Sequence, residues 1–158
     1  MNYAEIKNCD IANGPGVRVS LFVSGCTHHC PGCFNQVAWD FDYGEPFTKE
    51  VRYAIMDSLR PDYIKGLSLL GGDPMEEANQ PEILRIVRAV RERFGTTKSI
   101  WLWTGRRYEK VAQSPIFDYV DTVVDGPFIE HLKVKEKGCW FGSSNQRVIP
   151  LKDVRQHV

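Results

Sequence analysis

Val17-Arg-Val-Ser-Leu-Phe-Val23 runs directly into Ser24-Gly-Cys26-Thr-His-His-Cys30-Pro-Gly-Cys33-Phe-Asn35. The first segment is β-branched and apolar, and Asn13-Gly14-Pro15-Gly16 introduces it with turn residues, so it reads as a strand. Ser24-Gly25 ends the strand, which puts the cysteine loop at its carboxyl end. The same phrase recurs downstream. Lys65 to Leu70 runs into Gly71-Gly72-Asp73-Pro74, Ser99 to Trp103 into Thr104-Gly105, and Tyr119 to Val124 into Asp125-Gly126-Pro127. A last strand is expected at Arg147 to Pro150, after the polar loop 142–146.

Helical patterns fill the gaps. Thr48 has the character of an N-cap, and Val51, Ala54, Ile55 and Leu59 fall on one helical face before Pro61. Asn79 with Glu82 has capping-box spacing, Ile83, Val87, Val90 and Phe94 make an apolar stripe, and Gly95 stops it. A short helix is expected around Arg107 to Gln113. Strands alternating with helices predict a mainly parallel α/β sheet. A closed eight-unit barrel needs about 250 residues, and at roughly 30 residues per βαβ unit this chain holds about five. The expectation is a partial, open β/α barrel of about five parallel units. It forms a single domain over 1–158, with the cysteine loop at 24–35 and a short polar tail near 151–158. Ligands of parallel α/β folds sit beyond the carboxyl ends of the strands, so the glycine-bearing loops mark the expected site.

The chain has 158 residues, with 20 Lys+Arg balancing 20 Asp+Glu. That balance argues against a nucleic-acid or anionic-membrane binder, both of which need clustered cations. No apolar run approaches the roughly 20 residues of a membrane span, and Met1 to Asn8 has no apolar signal core. A cytoplasmic protein is expected. There are five cysteines, Cys9, Cys26, Cys30, Cys33 and Cys139. In a reducing compartment a cluster such as Cys26-x-x-x-Cys30-x-x-Cys33 is read as a metal site before it is read as disulfides. Three thiolates suit a cubane iron–sulfur cluster with one iron left open, since such a cluster normally takes four cysteines. The residues alone also allow structural zinc completed by His28, His29 or Cys9.

The Cx3Cx2C loop, followed at a distance by the Gly71-Gly72-Asp73 loop, resembles the radical S-adenosylmethionine (SAM) superfamily. Asn13-Gly-Pro-Gly-Val-Arg18, Leu21-Phe-Val-Ser-Gly-Cys26, Cys30-Pro-Gly-Cys33-Phe-Asn35 and Trp39 are similar to the glycyl-radical-enzyme activases. Gly71-Gly-Asp-Pro74, Trp101-Leu-Trp-Thr-Gly105, Val124-Asp-Gly-Pro-Phe128 and Gly142-Ser-Ser-Asn-Gln146 resemble the branch acting on anaerobic ribonucleoside-triphosphate reductase. The resemblance implies a [4Fe-4S] cluster on Cys26, Cys30 and Cys33, with its fourth iron open to SAM. It implies reductive cleavage of SAM to methionine and a 5′-deoxyadenosyl radical, which takes hydrogen from a glycine of the large reductase subunit. A flavodoxin-like or similar protein would supply the electron. Gly71, Gly72 and Asp73 are then expected along the methionine part of SAM, and the Gly32, Cys33, Phe34 segment along its adenine. Asp125 and Asn13 would serve SAM or its surroundings, and no catalytic acid–base pair is implied. The activase of pyruvate formate-lyase is similar but longer.

Other features have plainer readings. His28 and His29 are expected as exposed loop residues, Cys9 and Cys139 as small apolar fillers, and Trp101 and Trp103 as core. Arg85, Arg88 and Arg91 are expected on the solvated face of the second helix.

Overall fold

The computed structural model describes residues 1–33, 36–135 and 139–151. The expected strands and helices form, with shifts of a few residues: β2 (Val17–Val23), α1 (Lys49–Ser58), β4 (Ile64–Gly71), α2 (Gln80–Phe94), β5 (Ser99–Trp103), α3 (Tyr108–Val111), β6 (Thr122–Asp125) and β7 (Arg147–Pro150). Two strands had no sequence signal, β1 (Asn2–Asp10) and β3 (Glu45–Pro46). β1 exposes Glu5, Lys7, Asn8 and Cys9, so it lacks the apolar alternation that announces a half-buried strand.

Seven strands form one sheet in the order β3-β1-β2-β4-β5-β6-β7. β2, β4, β5 and β6 are parallel, while β1, β3 and β7 pair antiparallel at the flanks. The fold is therefore α/β with a mixed, open sheet: four parallel strands stand where about five parallel units were expected. The strand at Arg147 to Pro150 exists but runs the other way, because the chain between β6 and β7 carries a 3-10 turn (Glu130–Leu132) and no crossover helix among the described residues, and β7 pairs directly with its neighbour β6.

Local chemistry explains the helix ends. Thr48 Oγ1 accepts from Val51 N at 3.3 Å and starts α1. Asn79 precedes α2 but makes no capping bond; its amide instead donates to Ser24 O and Asp73 O, both at 3.0 Å. The capping-box reading fails because a tertiary contact takes the side chain.

The strands alternate cleanly. Val19, Leu21, Val23, Leu67, Leu69, Ile100, Leu102 and Val123 pack with Ile55 and Leu59 of α1 and Ile83, Ile86, Val87 and Val90 of α2. Each fully buried side chain of this size contributes about 1.5–3 kcal/mol. The opposite face is different in kind. Register aligns Arg18, Gly66 and Ser99 in one row, and Ser20, Ser68, Trp101 and Thr122 in the next. Arg18 is wholly buried and donates to Ser68 Oγ (2.8 Å), Ser99 Oγ (2.8 Å), Leu67 O (3.0 Å), Ser99 O (3.0 Å) and Pro15 O (3.2 Å). Burial pulls its pKa down to about 10, against the attraction of Asp121 and Asp10. Trp101 and Trp103 lie on this face and not in the helix-packed core, since strand parity sends them away from α2.

No described helix is long and apolar enough to cross a membrane. Phe34 and residues 152–158 of the polar tail lie outside the described residues.

Candidate metal centre

The carboxyl ends of the parallel strands meet around a cavity of about 520 Å³. Cys26, Cys30 and Cys33 line it together with Gly71, Gly72 and Asn13. The backbone holds the cysteine loop from both sides. Gly25 N donates to Ala38 O (2.7 Å) and Cys26 N to Trp39 O (3.2 Å), while Asp73 N donates to Gly25 O (2.8 Å) and Gly72 N to Val23 O (2.7 Å). Gly71 has φ 108°, a region that favours glycine. A Cβ on Gly72 would lie 2.5 Å from Gly25 O and 2.9 Å from Ala38 O. The two glycines therefore let the β4 loop lock onto the cysteine loop while their backbone faces the cavity.

Behind Cys26 stands a group of charges. Glu76 Oε1 accepts from both Thr27 N and Thr27 Oγ1 at 2.8 Å. Asp73 Oδ2 accepts from Thr104 Oγ1 (3.1 Å), Gly105 N (3.0 Å) and Arg106 Nη1 (3.0 Å), and lies 2.8 Å from His28 Nε2. Asp73 Oδ1 accepts from Met75 N at 2.8 Å. Arg106 completes the bridge through Nη2 to Glu76 Oε2 at 3.1 Å. Burial pushes the Glu76 carboxyl up, but the Thr27 bonds and Arg106 outweigh it and leave its pKa below the usual value. Burial likewise works against the Arg106 charge, and Glu76 and Asp73 more than restore it.

Asp73 is wholly buried, and its oxygens face these loops and not the cavity. Asp125, also wholly buried, accepts from Tyr108 N at 2.7 Å and holds Arg147 through Nε at 3.0 Å and through Nη2. Arg147 also forks onto Glu109 with two bonds of 2.8 Å. Asn13 lines the cavity; its amide donates to Asp10 Oδ2 (2.6 Å) and its carbonyl accepts from Ser68 Oγ (2.6 Å). Gly32 is exposed, at φ 77°, against Glu130. In the 142–146 loop Gln146 Oε1 accepts from Gly142 N (2.7 Å) and Ser143 N (3.1 Å), so much of its polarity is spent internally.

His28 is not a free loop residue, being held by Asp73 and near Arg106. His29 is exposed and stacks on Trp39 at 4.4 Å between centroids. Cys9 is exposed on β1, whereas Cys139 lines the cavity. Arg91 is a structural pin: it donates to Tyr119 O (3.0 and 2.6 Å), Lys98 O (2.9 Å) and Asp121 Oδ2 (2.7 Å).

Glu5 and Trp140, which carry no motif signal in the sequence, also line the cavity, as does Trp103, expected as core. Trp103 Nε1 donates to Trp140 O at 2.6 Å. Trp103 shares a face with Phe22, Leu70 and Val124 at the carboxyl ends of their strands, and that parity was the available signal.

The three thiols of one loop, Cys26, Cys30 and Cys33, all line the cavity and are the donor set for an iron–sulfur cluster. Burial pushes the Cys26 thiol up to about 11, and the Asp73 and Glu76 charges add to this against the backbone donors of His28 and His29. Metal binding would therefore displace a proton there. A second trio exists: Cys26 Sγ, a His28 ring nitrogen and a Glu76 oxygen lie within 4.8 Å of one another. Its histidine and carboxylate are already occupied by Asp73, Thr27 and Arg106.

Residues 12–149 match the family model described as a 4Fe-4S single cluster domain. The chain is 44% identical over 148 residues to a protein of Enterobacteria phage T4, covering 94% of this chain and 93% of that one. It is 44% identical over 156 residues to one of Escherichia coli K12, covering 96% and 100%. The Haemophilus influenzae relative is 39% identical over 156 residues, covering 96% and 99%. Each bears the name anaerobic ribonucleoside-triphosphate reductase-activating protein. With its thiol-lined cavity and this likeness over nearly its whole length, the chain belongs to the 4Fe-4S single-cluster family of anaerobic ribonucleoside-triphosphate reductase-activating proteins.

Proposed function

We propose that this chain is a cytoplasmic radical SAM enzyme that activates anaerobic ribonucleoside-triphosphate reductase. The observation that carries the reading is that Cys26, Cys30 and Cys33 line the same cavity as Gly71 and Gly72. When bound, a [4Fe-4S] cluster with SAM on its open iron supplies the one-electron cleavage of SAM that lets hydrogen be taken from a reductase glycine. The chain's own work is to hold and orient. Cys26, Cys30 and Cys33 ligate three irons. Gly71 and Gly72 bring backbone groups to the methionine part of SAM, Asn13 flanks it, and the Gly32–Phe34 segment meets the adenine. Asp73 and Asp125, turned into the protein, brace the loops that make these contacts. Trp103, Phe22 and Leu70 keep water from the reacting end of the cavity.

The four parallel strands, with helices on one face, form a shortened partial β/α barrel whose open side admits the glycine-bearing loop of the reductase. A flavodoxin-like donor supplies the electron. Anaerobically reconstituted protein, mixed with reductant, SAM and the reductase, should yield 5′-deoxyadenosine and an electron paramagnetic resonance (EPR) doublet from a glycyl radical. A full cluster that yields neither contradicts the proposal. The trio of Cys26, His28 and Glu76 favours a second reading, a zinc module, which predicts a colourless protein retaining zinc and no iron under the same treatment.

A further inference from the structure

The carboxylates of Asp73 and Glu76 are nearly sealed, with side chains 1% and 7% exposed, and the single guanidinium of Arg106 bridges them. The two carboxylates and the one guanidinium together carry one net negative charge. A Glu76 oxygen lies within 4.8 Å of Cys26 Sγ, and the same carboxylate accepts from Thr27 N, next to Cys26 in the chain, at 2.8 Å. Whatever cluster Cys26 ligates feels the field of these charges. A cluster taking up one electron becomes more negative, so a nearby anion opposes reduction and a nearby cation favours it. Burial of the two carboxylates reduces solvent screening of their field.

We propose that Arg106 is a positioning residue that sets how readily the cluster on Cys26, Cys30 and Cys33 is reduced, by cancelling one of the two buried carboxylate charges beside it. This rests on the cluster assignment made above. Among the described residues Arg106 makes no hydrogen bond to a cysteine; it acts through Glu76 and Asp73, and through Glu76 on the Thr27 turn next to Cys26. A purely mechanical role and a charge role make different predictions. Replacing Arg106 by an uncharged residue leaves two unmatched carboxylates, and so moves the reduction potential to a more negative value. Glu76→Gln removes one charge while its amide oxygen still accepts from Thr27. Combined with the Arg106 substitution, it returns the group to one net negative charge.

The test is a spectroelectrochemical titration of the full-length, anaerobically reconstituted protein, comparing wild type with R106M, R106K, E76Q and the R106M/E76Q double variant. R85M serves as a control, since Arg85 is exposed on α2 and pairs with Glu82, away from the Asp73–Glu76–Arg106 group. The expected result is a negative shift for R106M, a positive shift for E76Q, a near-wild-type value for R106M/E76Q and for R106K, and no shift for R85M. An unshifted R106M that holds a full cluster overturns the proposal, as does a double variant no closer to wild type than R106M. If R106M cannot assemble a cluster, E76Q decides, and an unshifted or negatively shifted E76Q overturns it. A wild-type protein that forms no reducible cluster would instead sink the cluster assignment, which keeps the two failures apart.

Discussion

Cys30 and Cys139 both face the cavity, but only Cys30 belongs to the loop locked by Gly25, Gly72 and Asp73. Cys30→Ala should reduce iron incorporation to background, and Cys139→Ala should leave it within experimental error of wild type. Iron and sulfide analysis after anaerobic reconstitution checks both. The Arg147 fork gives a second prediction at this scale. Its hydrogen bonds to Glu109, in a setting that barely desolvates the carboxylate, hold that pKa down at about 2, against an ordinary 4.5. A carboxylate depressed on folding adds stability that is present above its unfolded pKa and is lost as pH falls toward the folded value. Urea midpoints of metal-free wild type and Glu109→Gln should therefore differ most above about pH 5 and converge near pH 2. The pair is exposed, so the difference is small and shrinks in salt.

Among the elements, the joint between the loops after β2 and β4 bears most directly on the site. A methyl group on Gly72 meets two carbonyl oxygens at 2.5 and 2.9 Å, neither on a flexible side chain. Gly72→Ala should cost about 1–3 kcal/mol of stability by overpacking. It should also displace the cysteine loop, lowering cluster occupancy well below wild type while far-ultraviolet circular dichroism still reports a folded α/β protein. The parallel strands were legible in sequence because β-branched runs such as Val17–Val23 abut glycine turns. The helices were legible because their apolar faces recur at helical spacing. β1 was not, because its exposed residues carry no alternation. Nor was the true work of Asn79, whose amide is taken by Ser24 and Asp73 carbonyls contributed by other loops. Trp101 and Trp103 share one face of β5, but which face is core depends on where the helices lie, and a single strand does not carry that information.

For the molecule as a whole, the parallel strands place the chemistry at one end and the buried polar row around Arg18 on the same face of the sheet. The cysteine loop was readable as a metal site from spacing alone. The Arg106 bridge was not, since its carboxylate partners lie 30 and 33 residues earlier in the chain. The central claim is that the protein supplies three ligands to four irons and leaves the last to SAM. EPR of the dithionite-reduced cluster, recorded before and after adding SAM, tests it most directly. A clear change in the g-values on SAM addition is predicted, while a fully reduced cluster whose spectrum is indifferent to SAM would contradict the account.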